Sequence, residues 1–177
     1  LVIILAAAPG AAAHDYFVDQ EALPATGNGT GLLYNSPCGQ EFVPQQPALQ
    51  VVEFYLSLDS EVPDGATVAV RVRSQTIDGE IVGTSNELVL APPASKRIRH
   101  FDFDERVPLT PGQVYFLEVF LVSGDGNPVI WGGADVYAAG RPWILDAFSP
   151  FEDFWFREGM VNSGEVASWG HVKSLYR

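Results

Sequence analysis

The side chains of this 177-residue chain with the most chemical potential are its aromatic rings and its acids. Trp131 is followed by Gly132-Gly133, and Trp143 is preceded by Arg141-Pro142, so both indoles sit beside flexible or turning backbone. Asp135 and Tyr137 fall between them. Sugars bind proteins by stacking their apolar faces on aromatic rings while carboxylates and amides take the hydroxyls. A platform of Trp131, Tyr137 and Trp143, with Asp135 as polar partner, is therefore the candidate ligand site. The alternative for the same rings is to cap the open end of a hydrophobic core.

Acids at the two ends of the chain form a second set. Calcium takes about six to eight oxygen ligands. If the first and last strands pair, Asp15 or Asp19 can meet Glu152 or Asp153, and these four are the candidate ligands of a structural calcium. The segment Ser123 to Asn127 offers only Asp125 and Asn127 as side-chain ligands and reads as a hairpin turn. A third set is Asp102 and Asp104, two apart on one strand face and so about 6–7 Å from each other. That is near the spacing of glycoside hydrolase pairs, although alternating acids are equally ordinary on a solvated strand. Glu118 stands in an otherwise apolar run. A buried carboxylate needs a partner, and Arg71, Arg73 or Arg99 would supply it.

Other chemistries have no motif here. There is no G-x-S-x-G, no phosphate-binding loop and no dinucleotide fingerprint, and His14, His100 and His171 match no zinc spacing. Cys38 is the only cysteine, so no disulfide forms within the chain. The net charge of −12 repels phosphate backbones and anionic membrane surfaces, so nucleic acid is not an expected partner.

The elements that must position these residues read as strands. Phe101 and Phe103 alternate with Asp102 and Asp104, the period of a half-buried strand. Pro108, Thr110, Pro111 and Gly112 break it, with Gly112 able to take the positive φ of a type II turn. Val114 to Val122 follows as a strand covered on both faces. Upstream, Leu49 to Leu58 directs Val52, Phe54, Leu56 and Leu58 to one side and Glu53, Tyr55 and Ser57 to the other. In Thr67 to Ser74 the valines point inward and Arg71 and Arg73 outward. Ile81 to Ala91 reads as one strand. In Asp153 to Arg157, Phe154 and Phe156 share one face, and Asp153, Trp155 and Arg157 the other. Turn signals recur every 8–12 residues or so, as in a sandwich or barrel.

The termini differ. Residues 1–13, LVIILAAAPGAAA, read as the remnant of a secretory signal peptide. The run is too short for a membrane span, and the expected location is secreted or cell surface. Residues 14–160 make the sandwich domain. Residues 161–177 form a tail in which Trp169, Val172 and Tyr176 have the spacing of a short amphipathic helix.

Several of these pieces resemble exported bacterial β-sandwich domains: Asp19-Gln20, QEFVP, LQVVEFYLS, VRVR, VPLTPGQVYFLEV and DFWFREG. The resemblance covers about Tyr16 to Gly159 and is carried chiefly by Val107 to Val119. Those domains have a jelly-roll shape similar to carbohydrate-binding modules and occur in secreted and surface proteins, many with C-terminal sorting signals. In that fold class calcium often ties the chain ends. The resemblance thus implies a single antiparallel jelly-roll-like sandwich of about eight strands.

The expected function is a non-catalytic extracellular binding or surface module, with a polysaccharide or cell-surface glycan as ligand. The alternative is a structural subunit of a matrix, envelope layer or filament that self-associates. A secreted glycoside hydrolase is the third reading.

Overall fold

The computed structural model describes residues 16–59, 64–145, 147–149 and 152–161. Asp15, the leader-like residues 1–13 and the tail from residue 162 lie outside them.

Two antiparallel sheets face each other as a sandwich. The first sheet contains β1 (Tyr16–Ala22), β2 (Asn28–Gly31), β4 (Ala48–Leu58), β8 (Arg97–Pro108), β10 (Pro128–Ala134), β13 (Glu152–Phe154) and β14 (Phe156–Val161). The second contains β3 (Cys38–Phe42), β5 (Ala66–Ser74), β6 (Ile81–Thr84), β7 (Leu88–Leu90), β9 (Tyr115–Gly124), β11 (Pro142–Ile144) and β12 (Ala147–Phe148). Eight of these strands have five residues or more, the number expected, and the rest are short edge or corner pieces. A single helical turn, α1 (Leu32–Asn35), interrupts the pattern. No described helix is long and apolar enough to cross a membrane.

Alternation decides which residues fill the space between the sheets. From the first sheet Val52, Phe54, Leu56, Phe101, Phe103, Ile130 and Phe156 point inward. Val68, Val70, Val72, Leu117 and Val119 answer from the second. The turn after β8 is type II: the Gln113 N–H donates to the Thr110 carbonyl at 3.1 Å, and Gly112 has φ +80°. The first and last described strands do pair, with Glu21 opposite Arg157 and Gln20 opposite Glu158.

Two expectations about continuity need correction. Ile81 to Ala91 is not one strand but β6 and β7. Ser85 breaks it by using its hydroxyl as a backbone substitute, accepting from the Val70 N–H at 2.9 Å. Nor is Asp153 to Arg157 continuous. β13 pairs with β10, then the chain turns at Trp155, whose N–H donates to the Trp131 carbonyl, and β14 runs beside β4. Phe154 and Phe156 still both reach the core. Asp153, expected to face outward, is fully buried, because β13 lies where the first sheet closes against β3 of the second.

Glu118 has the partners its position demanded. It lies on the outer side of β9, 6% exposed, with Arg73 Nε at 2.6 Å and Arg71 Nη1 at 3.8 Å from its Oε2. Arg71 also lies over the Phe120 ring. Removing one partner of a covered ion pair leaves a charge stranded, whereas removing both is often neutral. Arg73→Met is expected to cost about 2–3 kcal/mol in urea unfolding, toward the low end for such pairs because Arg71 remains. Arg73→Met/Glu118→Leu should return to within about 1 kcal/mol of the parent. A double variant as unstable as the single would show that the pair is not the source of the loss.

Candidate functional site

The residues expected to form one platform are divided between the sheets. Trp131 projects from the outer face of the first sheet, where its Nε1–H donates to Ser57 Oγ at 2.9 Å. Trp143 lies on the second sheet opposite Gly39 and packs edge-on against Phe148, ring centroids 4.6 Å apart. Tyr137 is no platform at all. It is 8% exposed, T-shaped against Phe156, with its hydroxyl donating to Gln20 Oε1 at 3.0 Å and accepting from the Val43 N–H at 3.2 Å. A tyrosine with both ends satisfied inside the protein cannot stack on a ligand. Asp135 and one edge of Tyr137 do line an open pocket of about 310 Å³, completed by Glu41 and the Ala138–Arg141 backbone. Burial pushes the Glu41 carboxyl above its usual range, with the adjacent Arg141 opposing.

Of the acids expected to hold calcium, the three among the described residues, Asp19, Glu152 and Asp153, have other partners. Asp153 Oδ2 accepts from the Val136 and Tyr137 N–H groups, each at 2.7 Å, and its Oδ1 accepts from Gln40 Nε2 at 3.1 Å. Asp19 Oδ2 accepts from the Gln45 and Gln46 N–H groups. Glu152 accepts from the Asn28 side-chain amide. Among the described residues no group of three or more His, Cys, Asp or Glu side chains is arranged to hold a metal ion. Glu158 is the unexpected member of this region. Its position opposite Gln20 and Val52 directs it inward, and it is fully buried beside Asp19 and the Gln20 backbone. Burial, with Asp19 beside it, pushes its carboxyl up to about 9, so it is neutral at pH 7.

Asp102 and Asp104 have different partners. Four residues of β8, Phe103 to Arg106, stand opposite the single Gln50 of β4, so the strand bulges away from the sheet. Asp104 accepts from Asn86 Nδ2 at 2.8 Å, while Asp102 turns to His100. That bulge and β6 enclose a second open pocket of about 320 Å³.

What the fold assembles instead is a continuous band across the outer face of the first sheet. Tyr55 and Trp155 lie 5.9 Å apart, and Lys96 Nζ sits 3.7 Å from the Trp131 ring and 5.6 Å from Tyr55. Arg157 lies over Trp155 at 5.2 Å. Beside these rings His100 holds two carboxylates, Nδ1 at 3.3 Å from Glu53 and Nε2 at 3.0 Å from Asp102. Tyr16 packs edge-on over the His100 ring, and Arg157 reaches Glu21 at 3.0 Å. Tyr55, Glu53 and His100 were each legible as outward residues of their strands. Their grouping depends on β4 lying between β8 and β14.

The charges of the band support one another. The hydrogen bond to Glu53 raises the His100 imidazole above its ordinary range, Asp102 adds to this, and partial burial opposes it. Burial works against ionisation of Glu53, but His100 and Tyr16 outweigh it and hold the carboxyl below its usual range. Burial and the neighbouring Glu53 raise the Tyr16 phenol.

No protein-family model matches the chain, and no curated protein sequence matches it.

The sign of the pH dependence follows. An imidazole raised in the folded state contributes fully below its unfolded value of about 6.5, and that contribution is lost as pH rises through the folded value. Glu158 acts in the same direction, over the window from about 4.5 to about 9. The thermal midpoint should fall between about pH 6 and about pH 9, the fall should shrink in His100→Gln, and it should shrink further in His100→Gln/Glu158→Gln. An unchanged slope in His100→Gln would mean that the clamp adds nothing to stability.

Proposed function

We propose that this protein is a non-catalytic extracellular module that binds carbohydrate through the outer face of its first sheet. The observation that carries the reading is the band of Trp131, Tyr55 and Trp155 with Lys96, Arg157, Glu53, His100 and Asp102 beside it. Trp131 and Tyr55 are half-buried, with Lys96 lying over both rings, whereas Trp155 is covered and braces Tyr55. Ring faces next to fixed donors and acceptors suit a sugar, whose apolar face stacks while its hydroxyls hydrogen-bond. The same geometry argues against hydrolysis at this face. Glu53 and Asp102 are both tied to one imidazole, which leaves neither poised as the acid or the base across a glycosidic bond.

A polysaccharide pull-down or glycan array with the intact chain tests this. Trp131→Ala and Tyr55→Ala are each expected to weaken retention roughly tenfold, equivalent to about 1.4 kcal/mol. Trp143→Ala, on the other sheet, should bind like the parent. If the unmodified protein retains no glycan, or if only Trp143→Ala weakens retention, the outer-face reading fails.

One feature favours a second reading, a self-associating structural subunit. Among the described residues β1 ends the order of its sheet, pairing with β14 alone, and Phe17 on it is 52% exposed. An unpaired edge can accept a strand from a neighbouring molecule. Under that reading, size-exclusion chromatography should give a concentration-dependent shift to larger species that Phe17→Lys abolishes. A single monomer peak at every concentration would exclude it.

A further inference from the structure

Three of the ten basic residues of this acidic chain fall within four positions: Lys96, Arg97 and Arg99. Arg97 and Arg99 stand opposite Leu56 and Phe54 of β4, so they share one side of β8 with their Cα atoms about 7 Å apart. Arg97 is exposed, but Arg99 is only 7% exposed. The Arg99 Nη2–H donates to the Ser95 carbonyl at 3.3 Å, and its Nε–H has no acceptor among the described residues. Among the described residues neither arginine makes a salt bridge, in contrast to Arg71, Arg73 and Arg157, each of which has a glutamate. A covered cation without a counter-ion is costly, and a second like charge beside it adds repulsion. Burial and Arg97 accordingly hold the Arg99 guanidinium below its usual range. A chain with 22 acidic residues had ample means to supply a carboxylate here.

We propose that Arg97 and Arg99 form an anion-binding site at the start of β8, and that it takes an acidic group on a sugar chain, a uronate carboxylate or a sulfate ester. Guanidinium groups present paired donors that match such planar or tetrahedral oxyanions. The preceding residue, Lys96, lies over Trp131 on the outer face, whereas Arg97 and Arg99, opposite the inward Leu56 and Phe54, stand on the other side of the first sheet at its rim. A glycan as carrier rests on the binding-module reading; recognition of the anion does not.

Isothermal titration of the full chain with trigalacturonate, with a sulfated galactotriose and with neutral galactotriose tests the site. At low salt an acidic trisaccharide should bind at least about tenfold more tightly than the neutral one, and added salt should weaken it. The better of the two acidic ligands identifies the group. Arg97→Gln, at an exposed position, should lower the acidic affinity several-fold, and Arg97→Gln/Arg99→Gln should abolish the preference. Arg106→Gln, an exposed arginine further along β8, should leave it unchanged. The site is overturned if the parent binds neither acidic ligand, binds acidic and neutral ligands alike, or keeps its preference in Arg97→Gln. If the neutral sugar binds alike to the parent and the double variant while the acidic preference is lost, both readings stand. If acidic ligands bind through Arg97 but no sugar responds to Trp131→Ala, the anion site stands and the outer-face reading falls.

Discussion

The arrangement depends on one buried carboxylate. Asp153 sits where the first sheet closes against the second and is wholly removed from solvent. Its two oxygens accept from the Val136 and Tyr137 amides and from Gln40 on β3. Gln40 in turn accepts from the Phe154 N–H at 2.9 Å, so a strand of each sheet and the loop between β10 and β11 share one network. A carboxylate in such a place is tolerable only with its hydrogen bonds complete. Tyr137 extends the network to Gln20 and Val43, which ties the first strand to the same corner. Beyond this corner β14 runs along β4, and the band on the outer face takes its shape from that placement.

The outer face works by a different rule. Most of its members are half-exposed, and its charges meet across neighbouring strands, Glu53 opposite His100 and Arg157, or two apart along one strand, as His100 and Asp102 do. Single exposed ion pairs contribute little, but here one imidazole joins two carboxylates and one guanidinium touches both a ring and a glutamate. Such a face holds polar groups at fixed positions beside aromatic surface, which is what a sugar-binding surface requires. The second sheet spends its outer charges inwardly, Arg71 and Arg73 on Glu118, and covers Phe116 with Phe148.

Much of this was legible in the chain because alternation and turn chemistry are local. The inward valines of β5, the phenylalanines of β8, the type II turn at Gly112 and a covered Glu118 with an arginine partner all follow from spacing of two and from the φ freedom of one glycine. Local rules also give the outward side of each strand, and so Tyr55, Glu53 and His100 as exposed candidates. What misled was nearness in sequence. Trp131, Tyr137 and Trp143 lie within a short stretch, but the chain crosses from one sheet to the other between the first and the last, and Tyr137 is consumed at the crossing.

Which outward residues become neighbours is a matter of strand order, and strand order is set by contacts between residues far apart in the chain. Glu53 meets His100 across 47 positions, and Asp153 meets Gln40 across 113. No periodicity encodes such meetings; they follow from burying two apolar faces against each other while every enclosed polar group finds a partner. The amino-acid order therefore carried the sandwich and the facing of its strands, because hydrophobic alternation acts residue by residue. The corner at Trp155, the neutral Glu158 within the core and the joining of Trp131 to Tyr55 arose only with folding, because they depend on packing across the whole molecule.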